Sequence, residues 1–596
     1  MSVRNSLRRS GARIGAGLAH RRFPLAVAVL SLLLLIPALG GGWQLDDWFH
    51  RSRILGHGDA HPLQVFVPYD GRPEHNRAQM EAGTLPWWAS PDLHLAFFRY
   101  ASTLSMLLDY ELWPDHPALM HLHSLLWLAA AVFAAALLYR RVLGPTWVAG
   151  LAALLYAVDD AHAIPASYLA NRNALIAACF GFLSVLLYAR WRERGGRWGP
   201  WASAALLALA LAAGEMGVAT VGYLAAYALA LDRGRLRERV LRLWPHGLVV
   251  AAWVLVYRFG GFGSHGSGFY LDPLHDPVGF VAGFARRAAL LLMGQWTPVP
   301  AELGLVFAPG SRAAQELGLF SLVVVVALAA LLIPLFVRSR TARFWGLGVL
   351  FSLVPIAAVG PENRLLGFVG LGAMALLAEL VQAAFGERPA GATRIRWRVL
   401  ARGAVVVLLP LHLLAAPLLG IERVELQDDA SSRMLRAIAS VPSDSGIRKQ
   451  ELVLVNPPDH IYLVTAIPVV RELEGLPNPR WIRALSTGSA LEITRSGSRA
   501  LRVRFPQGFF LNRFSRYVRS RGDRFRAGER IELPGLTVEV ESLGAQGAPE
   551  QVRYTFPLRL EDPSLRWMIW RDGTYMPWSP PAIGATVKLQ PVQGIF

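Results

Sequence analysis

The sequence contains very little cysteine and very little lysine. The low cysteine content excludes some kinds of site, and the low lysine content means that the positive charge comes almost entirely from arginine. The single cysteine, Cys179, lies in an apolar segment, which excludes an intrachain disulfide and a cysteine-based zinc site. Lysine occurs only at Lys449 and Lys588, so nearly all of the 60 basic residues are arginines. The chain also lacks Walker and Rossmann glycine motifs, which argues against a nucleotide-binding domain.

Apolar residues and positive charge are abundant. Hydrophobic residues make up 53% of the 596 residues, the mean hydropathy is +0.35 and the formal net charge is +18. The arginines cluster in short connections between apolar runs, as the positive-inside rule describes for membrane proteins. We therefore expect a polytopic α-helical membrane protein whose partner is the lipid bilayer, and no binding of nucleic acid.

About eleven apolar runs predict membrane-spanning helices, each of which needs about 20 residues. A basic tail, residues 1–22, precedes the first run and resembles the start of a signal peptide, but no clean small-residue cleavage site follows, so we expect an uncleaved helix. The predicted spans are residues 23–41, 119–138, 146–160, 172–189, 200–214, 216–231, 245–259, 316–337, 343–359, 365–385 and 403–420. The pair around GEMG, residues 214–217, is predicted to be a broken or tilted hairpin.

The arginine distribution predicts an orientation. Arginine-rich connections alternate with arginine-poor ones, and the rich set, which includes the N-terminal tail, is predicted to be cytoplasmic. The other connections, which are then outside the membrane, are residues 42–118, 159–171, the turn at Glu215, 259–315 and 360–364. This pattern is typical of a multi-pass protein of the bacterial inner membrane with a cytoplasmic N-terminus and a periplasmic C-terminal domain.

Two segments outside the predicted spans have sequence patterns that predict other kinds of structure. Within residues 259–315, the run VGFVAGFARRAALLLMGQW is interrupted by Arg286 and Arg287, and predicts an amphipathic helix on the membrane surface. Residues 421–596 alternate strand-like runs such as ELVLV and QVRYTFPLRL with turn residues, and predict a β-rich domain. Its stretch SLRWMIWRDGTYMPWSPP would suit ring stacking on a ligand or the core of a small β-sandwich.

Paired aspartates follow the first apolar run. Asp46 and Asp47 open an outer loop that is rich in aromatic residues and histidine, which is more typical of a structured site than of a tether. Solvated residues at the end of a helix are the alternative interpretation. A second acidic cluster, Asp159, Asp160 and His162, could bind a divalent cation or orient an acceptor, or it could cap a helix turn.

Isolated charges at the ends of apolar runs need partners because burial of a lone charge is costly. Glu215 lies in an apolar hairpin, and Arg172, Arg258 or Arg364 could pair with it, either at a functional site or in a structural ion pair. Arg258 and Arg364 stand at the predicted outer boundary. There a guanidinium could hold a phosphate group or extend towards lipid headgroups.

These residues lie in segments that resemble the GT-C superfamily of polyprenyl-phosphate-sugar-dependent glycosyltransferases. The resemblance runs from residue 20 to 420 and covers, in family order, the acidic pair behind the first span, FFRYASTLSMLLDYELWPDHPALMHLHSLLWLAAA, AVDDAHAIPASYLANRNALIAACFGFLSVLLYARWR, AAGEMGVATVGYLAAYAL and GPENRLLGFVGLGAMALLAE. These segments look closest to the membrane portion of the transmembrane-and-tetratricopeptide O-mannosyltransferases and their bacterial relatives. No tetratricopeptide repeat follows in this chain.

The resemblance implies roles for single residues. Asp46 and Asp47 match the acidic pair, one member of which acts as catalytic base in such enzymes, and Arg99, Arg172, Glu215 and Arg364 match the family's other charged positions. The chain departs from the family pattern at Gly214, where a lysine is usual, and at Asp159 and Asp160, where a His-Pro pair is usual. The acidic residue expected shortly after His162 is also absent.

A GT-C-like membrane domain over residues 23–420 implies an integral membrane glycosyltransferase. It would move a sugar from a polyprenyl-phosphate donor to a hydroxyl of a glycan, lipid or protein acceptor, with inversion. Asp46, or else Asp47, would be the base, and Arg258 or Arg364 would stabilise the leaving phosphate. The alternatives are a catalytically idle scaffold and a glycan ligase of cell-envelope assembly. A transporter is disfavoured because the sequence has no internal repeat and its charges gather at one face.

Overall fold

The computed structural model describes residues 13–57, 61–308, 310–386, 395–511, 514–544, 547–592 and 594. Arg4, Arg8 and Arg9 of the predicted N-terminal tail, and Arg388 and Arg394 of the last basic connection, lie outside the described residues. The helices from the N-terminus to the end of the fifth apolar run are α1 (Arg13–Ala19), α2 (Phe23–Leu34), α3 (Asp46–Ile54), α4 (Pro73–Ala82), α5 (Tyr100–Leu112), α6 (Pro117–Leu143), α7 (Trp147–Ala157), α8 (Ala163–Ser167), α9 (Arg172–Arg194) and α10 (Gly199–Ala213). The later helices are α11 (Ala219–Ala230), α12 (Leu236–Leu241), α13 (Trp244–Phe259), α14 (Pro277–Trp296), α15 (Leu303–Val306), α16 (Arg312–Arg338), α17 (Arg340–Ile356), α18 (Gly367–Phe385), α19 (Ile395–Pro410), α20 (Ala416–Ala439) and α21 (Ala466–Leu473).

A bundle of apolar helices forms the larger part of the molecule. Its core is made mainly of alanine and leucine, with large aromatic side chains between them. Small residues let helix backbones approach closely, and the larger side chains fill the remaining space. Tyr223 of α11 illustrates this packing: its hydroxyl donates to the Phe368 carbonyl at 2.6 Å. A Cβ atom at Gly348 would come within 2.1 Å of the Tyr223 ring, so only glycine fits there.

All eleven predicted apolar runs contain helix, but they differ in length. In the part of the chain that the structure describes, six helices are long and apolar enough to cross a membrane, or eight if each of two bent pairs counts as one span. The runs at 200–214 and 216–231 are shorter apolar helices, and α13 and α17 have 16 and 17 residues. A multi-pass architecture is thus supported, while the count of eleven stays a prediction.

The 20-residue helix α14 differs from the sequence expectation because it meets the length and hydropathy requirements of a span. Arg287, one of the two residues that argued against a span, is 3% exposed. It donates to the carbonyls of Ala357 at 2.8 Å, Val359 at 3.0 Å and Phe269 at 3.2 Å. The charge is therefore held by backbone carbonyls inside the protein.

The two predicted sets of connections occupy opposite ends of the bundle. At one end, arginines bind residues of neighbouring basic connections. These contacts are Arg140 to Ala19, Arg192 to Asp232, Arg340 to Ala230 and Arg398 to Gly386. At the other end, which we call the loop end, the segments around residues 42–118, 159–171, 259–315 and 360–364 contact one another and the C-terminal domain. The grouping of the connections therefore agrees with the arginine pattern.

The last membrane helix does not stop at the predicted domain boundary after residue 420. Residues 396–439 form one continuous helix, 44 residues long, in which α19 and α20 are joined by a π-helical turn at Leu411–Ala415. At 1.5 Å per residue such a helix is about 66 Å long, well beyond the thickness of a bilayer. The polar second half of α20 therefore carries the chain from the bundle into the C-terminal domain.

The C-terminal domain is β-rich, as predicted, but it is not purely antiparallel. The domain contains two sheets, and the sequence predicted several of their strands. The strands are β4 (Glu451–Leu454), β5 (Trp481–Ala484), β6 (Leu491–Arg495), β7 (Ala500–Arg504), β8 (Arg530–Leu533), β9 (Leu536–Leu543), β10 (Pro549–Thr555), β11 (Leu565–Arg571), β12 (Thr574–Pro577) and β13 (Thr586–Leu589). Six of them form an antiparallel sheet in the order β13-β6-β7-β10-β9-β8. The others form the order β12-β11-β4-β5, in which β4 runs parallel to β5 and β11, and helix α21 connects β4 to β5.

The outer loop 42–118 and the C-terminal domain share one hydrophobic core, which includes Trp87 and Trp88 of the loop and Phe509 of the domain. The loop also pairs β1 (Tyr69–Asp70) and β2 (His94–Ala96) with β3 (Gly263–His265) in a small antiparallel sheet. Gly83 has φ +88°, and a Cβ there would lie 1.9 Å from the Ile482 carbonyl oxygen. This close backbone contact fixes the loop against the domain.

Arg519 joins the loop to the domain and provides a test of this docking. It is 4% exposed and donates to the carbonyls of Trp88 and Ala89, each at 3.2 Å. Replacing Arg519 with alanine leaves both carbonyls without that donor, at a cost of about 1–3 kcal/mol per buried group. We expect limited proteolysis within residues 42–118 to become about tenfold faster or more in R519A. The exposed Arg530 serves as control, and equal cleavage of R519A and R530A would contradict the docking role.

Candidate active site

A cavity of about 420 Å³ lies at the loop end of the bundle, beneath the C-terminal domain. Its walls come from the outer loops, from the ends of the bundle helices and from the domain. The polar or titratable side chains that line it are Asp46, His50, Arg53, Tyr69, Arg99, Tyr168, Asn171, Asn173, Glu215, Tyr257, Ser264, Tyr270, Asp272, Arg364, Thr465 and Tyr517. Four of the ten residues predicted from the sequence, namely Asp46, Arg99, Glu215 and Arg364, are thus brought to one cavity.

Asp46 is the first residue of α3 and faces the cavity. Its carboxylate Oδ1 accepts a hydrogen bond from the Tyr462 hydroxyl at 3.1 Å. Its backbone N–H donates to the Tyr168 hydroxyl at 2.9 Å. The preceding residue, Leu45, has φ 41° and is 2% exposed, a conformation that costs a non-glycine residue energy. The carboxylate is therefore held in position by contacts from two distant parts of the chain.

Asp47 has a different environment. It is 1% exposed and does not line the cavity. Its Oδ2 accepts the Gln44 N–H at 3.0 Å, and its Oδ1 accepts the Ala170 N–H at 2.7 Å. These bonds tie the start of α3 to the turn before α9. The carboxylate thus serves the local architecture.

Burial dominates the electrostatics of both aspartates. It raises the pKa of Asp46, against the opposing effects of the Tyr168 and Tyr462 hydroxyls and of Arg364 and Arg99. It also raises the pKa of Asp47 to about 8, although the Gln44 and Ala170 N–H groups favour its ionised form. A raised pKa strengthens a carboxylate as a proton acceptor, provided that the solution pH keeps it ionised.

Arg99 and Glu215 form an ion pair in the cavity wall. Arg99 Nε lies 3.0 Å from Glu215 Oε2, and Glu215 Oε1 accepts the Phe98 N–H at 3.0 Å. The expected partners of Glu215, namely Arg172, Arg258 and Arg364, do not take this place. The Arg99 guanidinium also lies over the Phe97 ring at 4.6 Å, so an aromatic face supports its orientation.

Arg364 contributes a second cation to the cavity. Its Nε lies 2.7 Å from Glu362 Oε2, and its Nη2 approaches the same oxygen at 2.6 Å. Burial opposes its charge, but Glu362 holds the pKa of Arg364 above its usual value. The guanidinium therefore stays positive in a largely desolvated place.

Two predicted arginines do not reach the cavity. Arg172 is 1% exposed and forms an ion pair with Asp109. It also donates to Ser124 Oγ at 2.8 Å and to the Met120 carbonyl at 2.7 Å, so it joins α9 to α5 and α6. Arg258 lies exposed at the end of α13. Neither side chain is among those that line the cavity.

The side chains of the second acidic cluster bind other groups of the protein and do not line the cavity. Asp159 accepts from the Ala161 N–H at 3.0 Å and from Gln295 at 2.8 Å, while Asp160 pairs with Arg423 at 2.9 Å. His162 Nε2 contacts the Tyr156 carbonyl at 2.7 Å. Among the described residues, no group of three His, Cys, Asp or Glu side chains could hold a metal ion. The geometry of this cluster therefore does not fit the divalent-cation interpretation.

Several residues that line the cavity were not predicted from the sequence. Tyr69, Tyr168 and Tyr270 are scattered along the chain, and Tyr517 belongs to a domain with no recognised chemical motif. His50 is a further example. Burial lowers its pKa to about 3, so its imidazole is neutral, and within the described structure its Nδ1 has no hydrogen-bond partner. The turn sequence NPPDH, just before Tyr462, is the one local feature of the sequence that indicates an ordered turn in this region.

Comparison with known proteins gives distant structural likenesses. No protein-family model and no curated protein matches the chain. The chain is similar to the oligosaccharyltransferase AglB from Archaeoglobus fulgidus in complex with an inhibitory peptide and a dolichol-phosphate, with 12% identity, coverage of 75% of this chain and 63% of that chain, and a TM-score of 0.39. It is also similar to ArnT from Cupriavidus metallidurans, with 13% identity, 74% and 83% coverage and a TM-score of 0.34. A third likeness is to the arabinofuranosyltransferase AftD from Mycobacteria, with 16% identity, 74% and 31% coverage and a TM-score of 0.31.

All three proteins are glycosyltransferases of the GT-C superfamily, which the sequence motifs resemble. The chain spans just under two thirds of the length of the oligosaccharyltransferase. With TM-scores below 0.5, the alignments assign no activity, substrate or residue role to this chain.

The two aspartates should respond differently to replacement by asparagine. In D47N one carboxylate oxygen becomes an amide NH2, which cannot accept the backbone N–H that Asp47 now binds. We expect D47N to lose about 1–3 kcal/mol of stability, seen as a lower unfolding temperature in detergent. D46N, whose carboxylate faces the cavity, should unfold close to the wild type. Equal destabilisation of the two variants would contradict this division of roles.

Proposed function

We propose that the protein is an integral membrane glycosyltransferase that transfers a sugar from a polyprenyl-phosphate donor to an acceptor hydroxyl. The observation that carries the proposal is the meeting of one partly accessible carboxylate, Asp46, with two guanidinium groups, Arg99 and Arg364, in one cavity at the loop end. A transfer reaction from a phosphate ester needs these elements: a base for the attacking hydroxyl and cations for the leaving phosphate.

Asp46 is the proposed general base. It accepts the proton of the acceptor hydroxyl as that oxygen forms a bond to the anomeric carbon, and the bond between the anomeric carbon and the phosphate oxygen breaks. The attack comes from the face opposite the leaving group, so configuration inverts, as in inverting glycoside chemistry. The products are the glycosylated acceptor and polyprenyl phosphate. Asp46 is preferred over Asp47 because Asp47 is enclosed and bound by two backbone N–H groups.

Arg99 and Arg364 are the proposed phosphate-binding residues. Glu215 binds Arg99 at its Nε atom. In the described part of the chain, the two terminal nitrogens of the Arg99 guanidinium make no hydrogen bond. These nitrogens present donors to an incoming phosphate in the fork geometry that suits its oxygens. Arg364 keeps a positive charge beside the same cavity. Arg99 thus takes the place that the sequence had suggested for Arg258.

The remaining walls suit a lipid-linked donor. Apolar side chains of α13 and α17, including Trp253, Val254 and Val354, line the cavity, and Val354 is 45% exposed. An apolar wall beside a charged pocket would accept the start of a polyprenyl chain while the phosphate stays near the arginines. The loop end would then face the periplasm in a bacterial inner membrane. An idle scaffold or a glycan ligase would share this architecture but would differ in donor use.

Transfer assays with purified protein and a panel of polyprenyl-phosphate sugars test the proposal. Loss of the base in D46N should lower kcat about 10²–10⁴-fold. R364Q should mainly weaken use of the donor, whereas R258Q, which alters an exposed arginine outside the cavity, should match the wild type. Full activity of D46N would refute the assignment of the base. An inactive wild type with every donor would favour the scaffold.

A further inference from the structure

The C-terminal domain reaches the proposed base directly. The Tyr462 hydroxyl, 416 residues away in sequence, lies 3.1 Å from Asp46 Oδ1. Ile461, Thr465 and Tyr517 of the same domain line the cavity. A domain that only captured acceptors would not need to place a hydrogen-bond donor on the base.

The segment that presents Tyr462 is fixed on several sides. Residues 461–465 form a π-helical turn, preceded by Asp459, whose Oδ1 accepts the Tyr462 N–H at 2.8 Å. The Tyr575 hydroxyl donates to the Leu463 carbonyl at 2.5 Å. Thr465 Oγ1 donates to the Thr84 carbonyl of the outer loop at 2.7 Å. We call residues 459–465 the Tyr462 turn.

From this geometry we infer that the Tyr462 turn of the C-terminal domain is a positioning element of the active site, in which the Tyr462 hydroxyl orients the Asp46 carboxylate and favours its ionised form. The inference rests on the proposed role of Asp46 as base. Tyr462 itself takes no proton from the acceptor. The domain is thereby part of the catalytic apparatus and not only a surface for binding the acceptor.

The hydroxyl acts on Asp46 in a known direction. A hydrogen bond donated to a carboxylate stabilises its charged form and lowers its pKa, which here offsets part of the increase caused by burial. Removing the hydroxyl should therefore raise the pKa of Asp46, so that a higher pH is needed to generate the base. The other titratable or charged groups that face Asp46 are Asp47, Tyr69, Arg99, Tyr168, Arg364, Asp459 and Tyr517. All of them are retained in the variant proposed below.

Tyr462→Phe in the full-length protein tests the inference, with Tyr575→Phe as matched control. Both variants lose one hydroxyl that is bound at the Tyr462 turn, but only the first loses the contact with Asp46. In Y462F we expect kcat/KM to fall about tenfold at neutral pH. The acid limb of the pH profile of kcat/KM should shift to higher pH by at least about half a unit, and kcat/KM should partly recover as the pH rises. Y575F should keep the wild-type pH profile even if it is less stable.

A second measurement does not depend on transfer activity. Infrared difference spectra recorded during a pH titration report protonation of a carboxyl group, and the band absent from D46N belongs to Asp46. We expect the midpoint of this band to rise in Y462F and to stay unchanged in Y575F.

The outcomes separate the inference from the proposed function. If D46N abolishes transfer but Y462F changes neither the pH profile nor the infrared midpoint, the positioning role is wrong and the base assignment stands. The same follows if Y462F raises only the KM for the acceptor. If D46N transfers normally or the wild type is inactive, the proposed function fails, and the infrared midpoint still decides whether Tyr462 acts on Asp46.

Discussion

Charged side chains at the boundary of an apolar bundle need partners, and this requirement organises the loop end of the molecule. Arg172 is buried against Asp109, Arg99 is paired with Glu215, and Arg364 is paired with Glu362. A buried ion left alone would be strongly destabilising, so these pairs limit how the helices and loops can be arranged. The distinction that matters for chemistry is whether a pair is enclosed, as for Arg172, or open to the cavity, as for Arg99.

The sequence predicted the architecture well where the signal was local. Apolar runs predicted the positions of the helices, and alternation of strand and turn residues predicted a β-rich domain. The grouping of the loops followed from the arginines, because the charge bias acts on each short connection independently. Span number was harder to predict because α13 and α17 are close to the minimum length. The continuation of the last helix beyond residue 420 was missed because amphipathic helix and polar loop have similar composition.

Partner choice was the part of the site that could not be predicted. Glu215 pairs with a residue 116 positions away, and Tyr462 reaches Asp46 across 416 positions, so both contacts depend on the packing of whole elements. The same limit explains Arg287. A charge within an apolar run argued against a span, yet the turn that follows α17 presents the carbonyls of Ala357 and Val359, which accept hydrogen bonds from this guanidinium. A sequence pattern reveals the cost of a charge but not the groups that offset it.

The conformation of Leu45 links the docking of the C-terminal domain to the chemistry proposed for Asp46. A non-glycine residue at φ 41° costs on the order of 1–3 kcal/mol and persists only where surrounding contacts hold it. Leu45 belongs to the core that the outer loop shares with the C-terminal domain, and the next residue is bound by Tyr168 and Tyr462. The strained backbone is therefore maintained by packing between two parts of the chain that are remote in sequence. Separation of the domain from the loop would remove both the Tyr462 contact and the packing that maintains this conformation, so the orientation of Asp46 depends on the assembled loop end.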